Sequence, residues 1–143
     1  MRQRVMVVGI DGSESSRRAA AYAVGLAGRE GARLIGVYVR PLPSSMVSMA
    51  DTSGAAAASV VASQDEVVTE FHDTLRRERT RSGVDMEIVV RQGDPFTELC
   101  QAANETWADA VIVGRSESLL HRIAGSVAQR LVRCGRWPVT VVP

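Results

Sequence analysis

The sequence contains no lysine, and all 17 of its basic residues are arginine. A Walker-type phosphate loop and a Schiff-base enzyme both require a lysine side chain, so this chain can build neither. Only 4% of the residues are aromatic, which argues against a stacking platform for single-stranded nucleic acid. The formal net charge is +1, so we expect no general electrostatic binding to nucleic acid or to an anionic membrane.

Cysteines, histidines and long apolar runs are also scarce. Cys100 and Cys134 are too few and too far apart in sequence to indicate a disulfide framework, and together with the two histidines they show no metal-ligand spacing. We therefore predict no metal-binding residues. The apolar run after the basic start is only six residues long, shorter than a secretory signal requires, and no stretch approaches the roughly 20 apolar residues of a membrane span. We expect a cytoplasmic protein.

The proportions of hydrophobic and charged residues are those of an ordinary globular domain. The chain has 143 residues, 45% of them hydrophobic and 23% charged, and a chain of this length buries enough apolar surface to fold without disulfides or metals. We predict one domain over residues 1–143. Residues 44–59 are small and weakly patterned, so we expect a mobile connection there, partly helical near its end.

Short apolar runs alternate with segments of helical periodicity along the chain. The runs predict strands at Val5 to Ile10, Arg33 to Val39, Met86 to Arg91, Ala108 to Gly114 and Pro138 to Val142. The four helices predicted between them extend from Ser13 to Gly31, around Val60 to Leu75, from Asp94 to about Trp107, and from Gly125 to Gly135. Strands that are apolar on both faces predict a parallel sheet sandwiched by helices.

In such a sheet, ligands bind beyond the carboxyl ends of the strands, where the strand order reverses. Asp11 and Gly114 end the first and fourth strands and are candidates for this crevice. Gly125 and Ser126 open the last helix, where free N–H groups and the helix dipole suit a phosphate, and Arg115 could contact the same phosphate. Two simpler interpretations stay open: Ser126 only caps its helix, and Asp11 only organises the turn that follows it.

Five segments of the chain, in order, resemble the universal stress protein family. They are Val8-Gly9-Ile10-Asp11-Gly12-Ser13-Glu14-Ser15-Ser16, Gly93-Asp94-Pro95, Ala108-Asp109-Ala110-Val111-Ile112-Val113-Gly114, Gly125-Ser126-Val127-Ala128 and Trp137-Pro138-Val139-Thr140-Val141-Val142. The resemblance covers essentially the whole chain. It implies an adenine-nucleotide α-hydrolase-like, Rossmann-like sheet of five parallel strands in the order 3-2-1-4-5, and a homodimer formed through the last strand.

The family divides into members that bind ATP and members that do not. Binders carry Gly-x2-Gly-x9-Gly-Ser/Thr after the fourth strand. By resemblance, the nucleotide-binding residues are Asp11 for adenine and ribose, Val37 beside adenine, and Gly114, Gly125, Ser126 and Val127 for the remainder of the pocket. The implied cofactor is ATP with magnesium.

The nucleotide loop departs from the family pattern in two ways. Ten residues separate Gly114 from Gly125, whereas the pattern has twelve, and the second glycine is replaced by Glu117. The loop is therefore shorter and carries a negative charge where phosphate is expected, which weighs against binding.

The resemblance and the residues together leave two main hypotheses. In the first, the chain is a stress-response regulatory protein that binds ATP at the crevice between strands one and four, acts as a dimer, and has an unidentified protein partner. It is not an enzyme, beyond slow ATP hydrolysis, because no base is positioned to activate water. In the second, it is a nucleotide-free dimeric interaction module. A phosphoreceiver domain fits less well, because it requires a lysine after strand five.

Overall fold

The computed structural model describes residues 1–40, 55–116 and 126–143 of the chain. In these residues, five strands alternate with four helices: β1 (Val5–Ile10), α1 (Glu14–Glu30), β2 (Arg33–Arg40), α2 (Ala55–Ser82), β3 (Met86–Gln92), α3 (Pro95–Glu105), β4 (Ala110–Gly114), α4 (Val127–Cys134) and β5 (Val139–Val142). The predicted alternation is confirmed. Of the segment predicted to be mobile, 44–54 lies outside the described residues and 55–59 forms the start of α2.

The five strands form one parallel sheet in the order β3-β2-β1-β4-β5, as predicted. β1 lies at the centre and pairs with β2 on one side and β4 on the other. Because the chain first winds outward through β2 and β3 and then returns to β4, the strand order reverses between β1 and β4. A crevice for a ligand is therefore expected at the carboxyl ends of these two strands.

Alternate residues of the strands face two separate layers of helices. One core cluster contains Val7, Val37 and Val111 together with Leu99 of α3 and Leu131 of α4. On the opposite face, other strand residues, including Met6, Val8 and Ile112, pack with the alanines of α1. Ala19, Ala23 and Ala27 of α1 are fully buried at four-residue spacing, and such small side chains allow that helix to approach the sheet closely.

Local capping determines where three of the helices begin. Ser13, Asp94 and Ser126 are the N-caps of α1, α3 and α4, and each side chain accepts a hydrogen bond from a backbone N–H three residues later. These caps agree with the sequence predictions. None of the helices in the described part of the chain is both long and apolar enough to cross a membrane.

Candidate functional site

The carboxyl ends of β1 and β4 lie side by side. Val8 of β1 pairs with Ile112 of β4, so Ile10 is level with Gly114, and Asp11 follows directly. Neighbouring strands are about 4.8 Å apart, which brings the backbone of Asp11 close to that of Gly114. The fold thus brings together two of the six residues predicted to bind a nucleotide.

Asp11 has a structural role in the turn between β1 and α1. Its Oδ1 accepts a hydrogen bond from the backbone N–H of Ser13 at 2.9 Å, and its own N–H donates to Ser16 Oγ at 3.3 Å. Gly12 adopts a φ of 84° in this turn, a region that favours glycine. The side chain of Asp11 is exposed, so its second carboxylate oxygen can still accept a bond from a ribose hydroxyl.

Gly114 allows α1 to pack directly against the end of β4. A Cβ at this position would lie 2.5 Å from the carbonyl carbon of Ser15 and 2.6 Å from its oxygen. The Ser15 hydroxyl then donates to the carbonyl oxygen of Arg115 at 2.7 Å. Sequence reasoning missed Ser15, because its only signal is a serine in the first turn of a helix.

Val37 lies in the middle of the sheet and belongs to the core. Its side chain is 1% exposed and packs in the cluster on the α3 and α4 face, while its backbone is paired with Gly9 and Val89. The side chain therefore has no open surface of its own. Its predicted role beside adenine stays a prediction.

Ser126 and Val127 form the start of α4. Ser126 Oγ accepts from the N–H of Gln129 at 3.2 Å, which is the predicted capping bond, and the residue is 8% exposed. Val127 is half-buried against the core cluster on this face. Gly125, the remaining predicted residue, lies outside the described residues, as does Glu117.

A cleft of about 620 Å³ lies between the end of β4, the start of α4 and the outer strand β5. Its walls are formed by Arg115, Ser116, Ser126, Ala128, Gln129, Val132, Arg133 and Val141. Among the described residues, Ser126 is the only one of the six predicted residues in this lining, and Asp11, Val37, Gly114 and Val127 do not belong to it. The cleft is therefore displaced from the β1–β4 crevice toward β5. The two adjoin where Gly114, at the end of β4, is followed by Arg115 and Ser116 of the cleft.

The polar groups of this cleft suit an anion. Ser116 Oγ is buried and has no hydrogen-bond partner within the part of the chain that the structure describes. Within that part, Arg115 and Arg133 are also free of carboxylate partners. The N-terminus of α4, capped by Ser126, adds the positive end of a helix dipole. Ser116 and Arg133 were not among the predicted site residues, because neither belongs to a recognised sequence motif.

Arg17 lies near Asp11 but is already engaged. Its guanidinium donates to both carboxylate oxygens of Glu70 on α2, at 3.0 and 2.9 Å. These hydrogen bonds lower the pKa of Glu70 and raise that of Arg17. Arg17 therefore joins α1 to α2 and is not available as a phosphate ligand without breaking this pair.

Over residues 1–40, 55–116 and 126–143, no group of three or more His, Cys, Asp or Glu side chains is arranged to hold a metal ion. A magnesium ion in this region would therefore need oxygens from a bound phosphate to complete its coordination.

Known proteins resemble this chain in both sequence and fold. The universal stress protein family model matches residues 1–143. Universal stress proteins of Mycobacterium tuberculosis strains CDC 1551 and H37Rv are each 33% identical in an alignment of 142 residues. The alignment covers 97% of this chain and 48% of each relative. The chain thus spans about half the length of these relatives.

Among solved structures, a universal stress family protein from Burkholderia pseudomallei is 29% identical with a TM-score of 0.75, over 97% of this chain and 95% of its own. A universal stress protein in complex with cAMP is 24% identical with a TM-score of 0.65, over 98% and 96%.

The universal stress protein from Archaeoglobus fulgidus in complex with dAMP is 20% identical with a TM-score of 0.59, over 99% and 98%. These last two likenesses concern the fold alone. The family model matches the whole chain and the sheet order agrees with it, so this chain belongs to the universal stress protein family.

Proposed function

We propose that this chain is a stress-response regulatory protein that binds ATP where the crevice between β1 and β4 meets the cleft beside α4. The observation that carries the proposal is the buried Ser116 hydroxyl, which has no partner among the described residues and lies beside the N-terminus of α4 and two arginines without carboxylate partners. A buried polar group without a partner is unfavourable, and a phosphate oxygen would satisfy it.

Each residue of the proposed site has a distinct part. Asp11 accepts hydrogen bonds from the ribose with its free carboxylate oxygen. The backbone of Val37 lies beside adenine. The residues beyond β4 and at the start of α4 (Gly114, Arg115, Ser116, Gly125, Ser126 and Val127) hold the phosphates, with magnesium carried in by ATP. The solved family members that hold cAMP and dAMP support an adenine nucleotide as the ligand.

We propose regulation without catalysis as the activity. No histidine or carboxylate is among the described residues that line the cleft, so none of those residues can remove a proton from an attacking water. Hydrolysis of bound ATP would then be slow, and the nucleotide would act by stabilising one conformation or one oligomeric state.

Calorimetric titration of nucleotide-stripped protein with magnesium-ATP tests the proposal, with AMP and GTP as comparison ligands. We expect saturable binding of ATP. Gly125→Asp should abolish it by placing a carboxylate against the phosphates. Arg115→Ala should weaken it by roughly tenfold or more, the value of a charge-assisted hydrogen bond.

Arg29→Ala is the matched control, because Arg29 is an exposed arginine in the last turn of α1, at the other end of the sheet. It should bind ATP as the wild type does. Equal weakening by Arg29→Ala and Arg115→Ala would contradict a specific phosphate site and indicate a general effect of charge.

A second candidate is a nucleotide-free dimeric interaction module, and the exposed apolar surface around β5 favours it. Val141 of β5 is 42% exposed and Val132 of α4 is 58% exposed, although both are large apolar residues. Among the described strands, β5 pairs only with β4, so its other edge offers backbone groups suited to a second subunit. A dimer in solution with no heat of ATP binding up to millimolar ligand would select this candidate.

A further inference from the structure

Helices α3 and α4 pack side by side on one face of the sheet and run in the same direction. Near the start of α3, Arg130 of α4 lies over the ring of Phe96 at 4.2 Å and within 3.5 Å of Asp94. Near its end, Arg136 donates a hydrogen bond to Asn104 at 2.8 Å. Arg136 follows the end of α4, so the two contacts occur in the same order along the chain at both helices, and the helices are parallel.

The two cysteines of the chain lie between these contacts. Cys100 is one helical turn after Phe96, and Cys134 is one turn after Arg130, so the helical repeat places them opposite each other. Burial raises the pKa of the Cys100 thiol, and the nearby Cys134 raises it further. The Cys134 thiol donates a hydrogen bond to the backbone oxygen of Leu131 at 3.1 Å. Both are free thiols in this structure.

The spacing of packed helices allows a covalent link at this point. Helix axes in contact are about 8 to 10 Å apart and each Cα lies about 2.3 Å from its axis, so residues that face each other directly have Cα atoms roughly 5 Å apart. Disulfides join residues whose Cα atoms are about 4.4 to 6.8 Å apart. A disulfide between facing residues is therefore compatible with the spacing of two packed helices.

We propose that Cys100 and Cys134 are a redox modification site, which a peroxide converts into an intramolecular disulfide between α3 and α4. Cys134 is half-buried and Cys100 is buried, so peroxide reaches Cys134 first. The Cys134 thiol loses its proton, the thiolate attacks one oxygen of hydrogen peroxide, and the O–O bond breaks with loss of hydroxide. The hydroxide takes up the thiol proton, so the products are a sulfenic acid and water.

The Cys100 thiol completes the reaction. Its sulfur attacks the sulfenic sulfur of Cys134, the S–O bond breaks, and the thiol proton leaves with the hydroxide as a second water. Two thiols and one peroxide thus yield one disulfide and two waters. The link closes the segment from Cys100 to Cys134, which includes β4 and the cleft residues that follow it. This inference concerns the thiols alone and does not depend on nucleotide binding.

Mass spectrometry of the reduced full chain, before and after treatment with hydrogen peroxide, tests the proposal. We expect a loss of two hydrogen atoms per chain, one cross-linked peptide containing Cys100 and Cys134, and reversal by dithiothreitol. The melting temperature should rise by roughly 5 to 10 °C, because the link restricts the unfolded chain. Two titratable thiols remaining after treatment, or a disulfide that only joins separate chains, would overturn the proposal.

Variants test the order of the two steps. In Cys100→Ala, Cys134 should stop at the sulfenic acid and be labelled by dimedone, whereas the wild type should give little of this adduct. In Cys134→Ser, no disulfide should form. Dimedone labelling confined to Cys100 in the Cys134→Ser protein, with none at Cys134 in Cys100→Ala, would contradict the assignment of Cys134 as the first site.

The double variant Cys134→Ser/Arg133→Cys is the matched control. It keeps two cysteines and moves the second by one position on the same helix, to an exposed residue turned by about 100° around the helix axis. It should form no intramolecular disulfide under the same treatment. A disulfide as fast as in the wild type would mean that chance collision, and not the packing of α3 on α4, joins the thiols.

Discussion

The two edge strands of the sheet have opposite surfaces. β3, Met86–Gln92, carries charged residues that are tied to neighbouring elements: Glu87 pairs with Arg33 of β2 at 3.0 Å, and Arg91 pairs with Glu98 of α3 at 3.6 Å and also with Glu105. β5, Val139–Val142, has no charged residue. Charges on an edge discourage pairing with another sheet, and an apolar edge permits it. The comparison indicates that β5 is the edge suited to a second subunit.

An arginine substituted on each edge strand in turn tests most directly which edge forms the dimer interface. Val141→Arg should convert the proposed dimer to a monomer, because two arginines, one from each subunit, would be buried in the interface. We expect dimer affinity to fall by at least about 1,000-fold, roughly 4 kcal/mol. Light scattering or analytical ultracentrifugation measures the mass.

Val90→Arg is the matched control for this prediction. Val90 is 39% exposed on β3, close to the 42% of Val141 on β5, so the two substitutions add the same charge at similarly exposed valines. Val90→Arg should leave the mass unchanged. Monomers from Val90→Arg with dimers retained by Val141→Arg would assign the interface to β3.

The next largest expected effect is the loss of stability when a glycine is replaced by alanine in each half of the sheet. Gly114→Ala should destabilise the fold by about 3 kcal/mol or more, because its Cβ would overlap the backbone of Ser15, which moves only if α1 shifts. Gly36→Ala on β2 should lower the free energy of unfolding by only about 1 kcal/mol. Its Cβ would lie 2.7 Å from the terminal methyl of Ile10, which is the mobile end of a side chain. Urea unfolding measures both, and equal losses would contradict the difference between rigid backbone and mobile side chain.

A smaller, pH-dependent effect is expected at Asp94, which follows β3 and caps α3. Hydrogen bonds from Thr97 lower the pKa of Asp94 in the folded state. Its contribution to stability is therefore fully present above the unfolded-state pKa of about 3.9 and is lost as the pH falls through the lower folded-state pKa. Asp94→Ala should cost about 1 kcal/mol at pH 6 and less at pH 3. A stability cost of Asp94→Ala that was larger at pH 3 than at pH 6 would contradict this prediction.

The smallest effect is expected for the charges of β3 themselves. Glu87 and Arg33 are both substantially exposed, with side-chain exposures of 45% and 40%. Glu87→Gln should change the free energy of unfolding by no more than about 0.5 kcal/mol, and 1 M salt should remove even that difference. A loss above about 2 kcal/mol would show that these charges stabilise the fold and do more than protect an edge.

Sequence patterns were sufficient for the elements and their order. The apolar runs, the caps Ser13, Asp94 and Ser126, and the stops Gly31 and Gly135 all act within about four residues, so each is visible in a short window of sequence. The predicted fourth strand began at Ala108, whereas β4 begins at Ala110. Trp107 adopts a φ of 54°, and the turn after α3 continues through Asp109 before the strand starts.

The site was less accessible to sequence reasoning, as Gly114 illustrates. A motif assigned this glycine to phosphate binding, whereas the structure also gives it a packing role against Ser15, a residue about one hundred positions earlier. Ser116 was missed for the same reason, since only the fold leaves its hydroxyl buried without a partner among the described residues.

The cysteines show most clearly what sequence patterns cannot predict. Their separation along the chain gave no indication of a disulfide framework, yet the packing of two parallel helices brings Cys100 near Cys134. The amino-acid order determined the helices and strands, because capping and periodicity act between near neighbours. Only the tertiary structure decided which distant side chains meet, because that depends on how each crossover packs its helix on the shared sheet.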